Sequence, residues 1–401
     1  MSHYDVVVVG GRVAGASTAL LLARRGARVA VVERGTLDQD PVSTHALMRA
    51  GVLQLARWGV LDAIVARGTP PSRQTTFRYP DGERVRVSIR AADGVDALYA
   101  PRRTLLDRLL IDVAEEAGAE VYRCTAVSGV TRTREGRVNG VAIRRGSTDT
   151  ALRADLVIGA DGFRSTVARD VDAATLLRGS AASSVLYRYV RGLDVRGYEW
   201  LYGDRAAAGL IPTNDEATCV FVSATPARMR QLRRGGRRHA FLSLLQACGP
   251  EVHDLVRDAP ERSAVRGWRG AAGRVRQSWG PGWALVGDAG YYKDPVTAHG
   301  ITDALRDAEL LADAVLATSA SRDRALAMAA YQDKRDQLSR AFWDATEEVA
   351  GFAWDAARVR ALLRAASAAM SDEVDHLSRV PGRASGVRSA VEPLSGSSPR
   401  R

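Results

Sequence analysis

Residues 4–34 read YDVVVVGGRVAGASTALLLARRGARVAVVER, and the way this stretch alternates between two periodicities decides the fold. The β-branched run Val6 to Val9 meets a turn at Gly10, after which the apolar spacing becomes helical through Ala19, Leu20, Leu22 and Ala23. A second β-branched run, Val29 to Val32, ends in Glu33. The order is strand, tight turn, helix, strand, then a carboxylate where the ribose of a dinucleotide lies. Gly10 permits a sharp exit from the strand, and Gly15 lets the helix approach the sheet closely. Unpaired N–H groups at the helix start, at the positive end of its dipole, suit a pyrophosphate. Arg12 replaces the second glycine of G-x-G-x-x-G, so its side chain must point away from the phosphates or curl round to pair with one. Taken alone, the stretch also fits a unit that binds NAD, or a turn with no ligand.

A chain of 401 residues can bury a large core and is expected to hold two domains. With 46% hydrophobic and 26% charged residues it reads as an ordinary soluble protein, and no apolar run reaches the ~20 residues of a membrane helix. The N-terminus enters its strand at once, which predicts a cytoplasmic location. The net charge of +11 comes almost wholly from arginine spread along the chain, with lysine only at Lys293 and Lys334 and no aromatic-interleaved basic stripe. Nucleic-acid binding is therefore not expected. Cys124, Cys219 and Cys248 are too far apart for a C-x-x-C pair and are read as buried structural thiols; six scattered histidines give no metal spacing, so no metal site is assigned.

Beyond Glu33, a loop from Gly35 to Ser43 leads to a helix through Ala46 to Trp58. Ser43-Thr44-His45 reads as a helix-start polar cluster with Ser43 or Thr44 as cap, or as a contact from His45 to the cofactor. TTFRY, Pro80-Asp81-Gly82 and RVRVSI form a hairpin signal that leaves the α/β series for a second sheet. PRRTLLDRLLIDVAEEAGAEV returns to it as an amphipathic helix and strand, with Leu106, Leu109 and Leu110 on the buried side and Arg103 at its mouth, either solvated or holding a phosphate. The second sheet resumes with SVLYRYVRG, GLIPTN and TCVFVSA, then a helix near Ala240 to Leu255 and a strand through Arg266 to Trp268.

Two further strand-to-loop motifs complete the pattern: ADLVIGADGFRSTVAR at 154–169 and WALVGDAGYYKDPVTAHGITDALRD at 283–307. Each puts an aspartate, Asp161 or Asp288, at the carboxyl end of a strand, where open α/β sheets bind ligands. With these three motifs the chain resembles, over roughly residues 4 to 315, the single-Rossmann FAD enzymes related to p-hydroxybenzoate hydroxylase. That group includes aromatic-ring monooxygenases, geranylgeranyl reductases and flavin-dependent halogenases. The resemblance implies an α/β fold: a GR2-type, Rossmann-like FAD-binding domain (1–70, 101–183, 277–325) and a mostly antiparallel substrate-binding β-sheet domain (71–100, 184–276). C-terminal helices (326–376) and a disordered tail (377–401) follow.

By position, the resemblance implies that Gly10, Arg12, Val13, Ala14 and Gly15 surround the pyrophosphate. Glu33 and Arg34 lie at the adenosine ribose, Arg103 at a phosphate or ribitol, and Val127 at the adenine. It makes Asp161 a link between flavin support and pyridine-nucleotide handling, and Asp288 the ribitol ligand. Pro295 borders the reactive edge of the isoalloxazine, and Gly300, Ile301 and Thr302 turn their amides to its pyrimidine. Tyr187, Tyr189, Trp200, Tyr202 and Phe221 either line an aromatic-sized pocket or are simply core, with Tyr187 and Tyr189 on one strand face.

The sequence departs from the pattern at Ala168, which precedes Arg169, and at Tyr291, where many hydroxylases carry histidine. Asp294-Pro295 is nearer to halogenases and geranylgeranyl reductases, yet the W-x-W-x-I-P signature of tryptophan-type halogenases is absent. The function implied is an NAD(P)H-dependent monooxygenase acting with O2 through a flavin C4a-hydroperoxide on a small aromatic or polyketide-like substrate. Double-bond reduction and halogenation stand beside it, as does a non-catalytic flavin protein with a nucleic-acid-binding surface. No second G-x-G-x-x-G is present, so NAD(P)H is expected to bind transiently, or a separate flavin reductase to supply electrons.

Overall fold

The computed structural model describes residues 3–146, 148–260, 263–317 and 321–379. Its first strand, His3–Val9, is valine-rich because both faces are covered. Parallel neighbours Val29–Val32 and Thr148–Gly159 flank it, with Glu120–Tyr122 outside the first and Trp283–Leu285 outside the second. In chain order these five strands stand 3-2-1-4-5 across the sheet, the doubly wound order. The direction of winding therefore reverses between His3–Val9 and Thr148–Gly159.

Helices Val13–Ala23, Arg103–Glu116 and Gly300–Leu316 pack together on one face, burying Leu20, Leu22, Leu106, Leu110, Leu305 and Leu311 with Val6 and Val8. The opposite face carries an antiparallel meander unread in the sequence: Ala126–Arg132, Val138–Arg145 and the first half of Thr148–Gly159. Its Val138, Val141 and Ile143 share a core with Val7, Val9 and Val32.

The second sheet has seven strands, and the hairpin Gln74–Arg78/Arg84–Ser88 is its outer pair. Ser184–Arg191, Ala206–Pro212, Ala217–Ala224 and Arg266–Trp268 fall where they are expected. The strand Tyr198–Gly203 is not among those the sequence predicts; it pairs parallel with the hairpin and antiparallel with Ala206–Pro212. One sheet face packs on helices Arg237–Cys248 and Pro250–Asp258, which Gly249-Pro250 separates where a single helix is expected. The other face holds Tyr187, Tyr189, Trp200, Tyr202 and Phe221, in one cluster with Ala46, Met48, Val296 and Ala298. The strand alternation that puts Tyr187 and Tyr189 together thus aims both at the first domain.

Helices Ser321–Gly351 and Ala356–Arg379 close the molecule, with Phe352 left-handed at the break (φ 52°). The second helix runs to Arg379, three residues into the expected tail, and the remainder of that tail, 380–401, lies outside the described residues. The helix expected at Ala46 starts later, at Arg49, with Met48 rather than Ser43 or Thr44 at its cap. Among the cysteines only Cys219 is fully buried; Cys124 is exposed and Cys248 half-buried, so the reading of three buried thiols is corrected.

Gly15 tests the whole arrangement. A Cβ there would lie 1.8 Å from the Gly10 carbonyl oxygen, so the strand-to-helix turn cannot close around any side chain. Gly15→Ala is expected to destabilise the fold by ~3 kcal/mol or more in urea titration, the scale of severe steric substitutions; a loss under ~1 kcal/mol would contradict this packing.

Candidate active site

Three loops meet at the switch point. Ala160 N–H donates to the Val9 carbonyl at 2.8 Å and Val286 N–H to the Gly159 carbonyl at 3.0 Å, so the three strand ends are stitched together. A Cβ on Gly10 (φ 104°) would meet the Ala160 oxygen at 2.5 Å, and one on Gly287 (φ 60°) would meet the Ala14 methyl at 2.9 Å. The glycines are therefore required by the approach of the loops to one another.

The helix Val13–Ala23 begins without a side-chain cap, and its first intrahelical bond runs from Ala16 N–H to Arg12. The amides of Val13, Ala14 and Gly15 precede that bond and point out of the helix start. Glu33 accepts hydrogen bonds at 2.7 Å from Gly11 N–H and at 2.7 Å from Gly35 N–H, which fixes its carboxylate against the turn. Arg34 beside it is exposed. Thr125 N–H donates to the Glu33 carbonyl at 3.0 Å, bringing half-buried Val127 to the same end.

Arg12 turns away from the helix start. Its guanidinium reaches Asp107 at 2.9 Å, and Arg103 grips the same carboxylate at 2.9 and 3.1 Å. Asp107 is 1% exposed and was not singled out in the sequence. It explains how an arginine is accommodated where the motif has glycine: the cation is drawn back onto the Arg103–Glu116 helix.

Asp288 is solvent-exposed at the end of the strand Trp283–Leu285, densely flanked by protein. That setting pushes its carboxyl up to about 6, opposed by the charges of Lys293 and Arg103. Asp161 behaves differently. It accepts from Ser165 Oγ at 2.5 Å, Thr166 N–H at 2.6 Å and Val167 N–H at 3.3 Å, holding the start of the short helix Thr166–Asp170. Its oxygens are thus engaged in local structure, and burial raises its pKa.

Further along, Asp294 accepts Ser183 N–H and Oγ at 2.6 Å each and Val296 N–H at 2.9 Å, tying the loop of Pro295 to the second sheet. Pro295 is half-buried, Ala298 is left-handed (φ 49°), and Gly300 is exposed with open space where a Cβ would stand. The amides of Gly300, Ile301 and Thr302 precede the first intrahelical bond, from Asp303 to His299. Thr302 Oγ1 is itself occupied, accepting Met48 N–H at 3.0 Å.

That bond brings the loop before Met48 against the helix start, and with it His45. His45 is fully buried in the left-handed region (φ 65°), and its Nε2 shares a hydrogen bond with the Tyr189 hydroxyl. Arg102 lies 3.9 Å from the Tyr189 ring centre and donates to Asp40 at 2.8 Å, while Thr104 N–H donates to Asp40 at 3.0 Å. Burial drops the His45 imidazole to about 3, so it is neutral at any working pH. Ser43 and Thr44 do not cap the helix, and the partner of His45 is Tyr189 of the second sheet; Asp40 and Arg102 gave no sequence signal.

Comparison with known proteins gives the family and its cofactor. The family model described as FAD binding domain matches residues 3–346. The chain belongs to this FAD-binding family. It is 26% identical over 327 residues to digeranylgeranylglycerophospholipid reductase 1 of Methanococcoides burtonii, covering 80% of this chain and 76% of that protein. It is 30% identical over 314 residues to digeranylgeranylglycerophospholipid reductase 2 of Methanothermobacter thermautotrophicus, covering 74% of each. PqsL of Pseudomonas aeruginosa, a probable FAD-dependent monooxygenase, shares the fold with TM-score 0.76 and 24% identity over 90% of this chain and all of that one. The flavin-dependent brominase Bmp2 does so with TM-score 0.77 and 18% identity over 94% of this chain and all of that one. The protein is an FAD-dependent oxidoreductase. No described helix is long and apolar enough to cross a membrane.

The residues present fit FAD: two turns with no room for a Cβ, two uncapped helix starts and an accessible aspartate beside them. Asp107 should matter most to the shape of the Val13–Ala23 helix start. Asp107→Asn leaves two guanidinium groups without their shared anion, an expected loss of ~2 kcal/mol by thermal or urea unfolding, below the full value for a buried pair because Arg12 is partly exposed. Unchanged stability would show that Asp107 does not organise these arginines.

Proposed function

We propose that this flavoprotein is an NAD(P)H-dependent monooxygenase of a small organic substrate able to hydrogen-bond, and that it binds FAD along the groove from Glu33 to Gly300. In this reading the amides of Val13, Ala14 and Gly15 receive the pyrophosphate, Glu33 the adenosine ribose with Arg34 beside it, and Val127 the adenine. Asp288 receives the ribitol hydroxyls, with Arg103 near. Pro295 borders the reactive edge of the ring, and the amides of Gly300, Ile301 and Thr302 meet its pyrimidine. FAD bound there supplies hydride acceptance and activation of O2.

The remaining work belongs to the second sheet. Tyr187, Tyr189, Trp200 and Phe221 face the Pro295 loop and exclude water from the ring's outer side. His45, held neutral, and the Tyr189 hydroxyl offer a buried donor and acceptor to a bound substrate, while Arg102 and Asp40 fix the tyrosine ring. This polar pair inside an aromatic face is the observation that carries the reading: His45 and Tyr189 satisfy each other through Nε2, and His45 Nδ1, buried with no hydrogen-bond partner, stays unsatisfied unless the substrate itself is polar. The reductase relatives favour a second reading, saturation of a carbon–carbon double bond at the same site.

FAD-loaded protein incubated with NADH or NADPH and a panel of phenols, aminoarenes and prenyl lipids separates the two. Substrate-stimulated O2 uptake with a product heavier by one oxygen atom is expected. Anaerobic turnover giving a product heavier by two hydrogens would replace oxygenation by double-bond reduction.

A further inference from the structure

Behind the helix start proposed to meet the ring lies a cluster of charge that the reading above does not use. Lys293, His299, Asp303, Arg306 and Asp307 come from the loop and helix of 283–316, and Glu373 from the helix Ala356–Arg379; none is more than 6% exposed. Arg306 reaches Asp307 at 2.7 Å, and Asp303 and Glu373 at 3.1 Å each; Lys293 pairs with Asp303. Ser339 accepts from Arg306 at 2.9 Å, the Phe342 ring lies 4.5 Å from the His299 ring, and the Tyr291 ring flanks Lys293 and Arg306. His299, Asp303 and Glu373 converge closely enough to hold a cation, and Arg306 and Lys293 already supply that charge.

With His299 neutral and Lys293 protonated, two cations face three carboxylates, so the cluster is one positive charge short. Three groups compete for the missing proton: Lys293, which burial and Arg306 bring down to about 7, Asp307 through its unpartnered Oδ2, and His299, the one that adjoins the helix start. His299 Nε2 lies 2.9 Å from Glu373 Oε2, while its Nδ1 is buried and has no hydrogen-bond partner. Burial, aided by Lys293 and Arg306, lowers the imidazole pKa, and Glu373 opposes them. His299 directly precedes Gly300, so any new negative charge at the helix start shifts this balance toward the protonated ring.

We infer that His299 takes up a proton at Nδ1 when the bound flavin is reduced, so that the couple exchanges two protons with its two electrons. The electrons come from a nicotinamide, or from an electrode in the test. One proton enters the flavin ring, which keeps one negative charge beside the helix start; the second comes from solvent and stays on His299. No covalent bond of the protein breaks. The inference rests on the ring placement proposed above.

Mediated spectroelectrochemistry of the FAD-loaded full chain between about pH 6 and 8, the range in which histidine titrates, tests it. One proton per two electrons corresponds to ~30 mV per pH unit. The wild type is expected to show twice that slope and His299→Gln the single value, with the absorption spectrum of an anionic reduced ring in both. Glu373→Gln, which keeps a hydrogen-bonding partner and removes the charge, is expected to move the steeper region to lower pH. A wild-type slope of ~30 mV, an unchanged slope in His299→Gln, or a reduced ring protonated at N1 would overturn the inference. Ile301→Pro removes one helix-start N–H where proline is tolerated and is expected to lower the potential. A potential that ignores Ile301→Pro refutes the ring placement itself, whereas a response to Ile301→Pro without one to His299→Gln refutes only the proton uptake.

Discussion

Everything in this molecule depends on three strand ends being brought within hydrogen-bonding distance at one rim of a parallel sheet. The bonds from Ala160 to Val9 and from Val286 to Gly159 set that spacing, and Gly10, Gly15 and Gly287 make it sterically attainable. Once the ends are stitched together, two helices, Val13–Ala23 and Gly300–Leu316, pack side by side with their N-termini at the same rim. Two uncapped helix starts so placed bring two positive ends to one rim, which the proposed function assigns to the phosphates and to an electron-rich ring.

Charge in and around the groove is handled by enclosure. Arg12, Arg103 and Arg102 are held on Asp107 and Asp40, and the cluster under the Gly300 helix start gathers three carboxylates around Arg306 and Lys293. Burying so many ions is costly unless each finds a partner, and pairing of this kind fixes geometry more than it adds stability. The benefit here is positional: the C-terminal helix, through Glu373, is anchored directly behind the helix start.

The fold was largely legible because its signals are local. Glycine turns, β-branched runs and a carboxylate at a strand end are read within thirty residues, and three of them in order name the family. What escaped was long-range. Tyr198–Gly203 was missed because its pairing with Gln74–Arg78 joins segments more than a hundred residues apart. Asp107 looks like one more helix acid until Arg12 is seen to curl onto it, and Glu373 lies in a C-terminal helix to which the sequence gives no role in the site. His45 hides a strained backbone and a tyrosine partner 144 positions away. Asp161 shows the reverse: a motif residue whose oxygens serve the local helix start.

A crystal structure of the FAD-loaded protein measures the central claim directly. The account predicts one extended nucleotide, with its adenosine at Glu33, its pyrophosphate over the amides of Val13 to Gly15, and its ring within hydrogen-bonding distance of Gly300 to Thr302. A flavin bound away from the rim where 9–15, 159–161 and 286–302 converge, or running in the opposite direction along it, would contradict it.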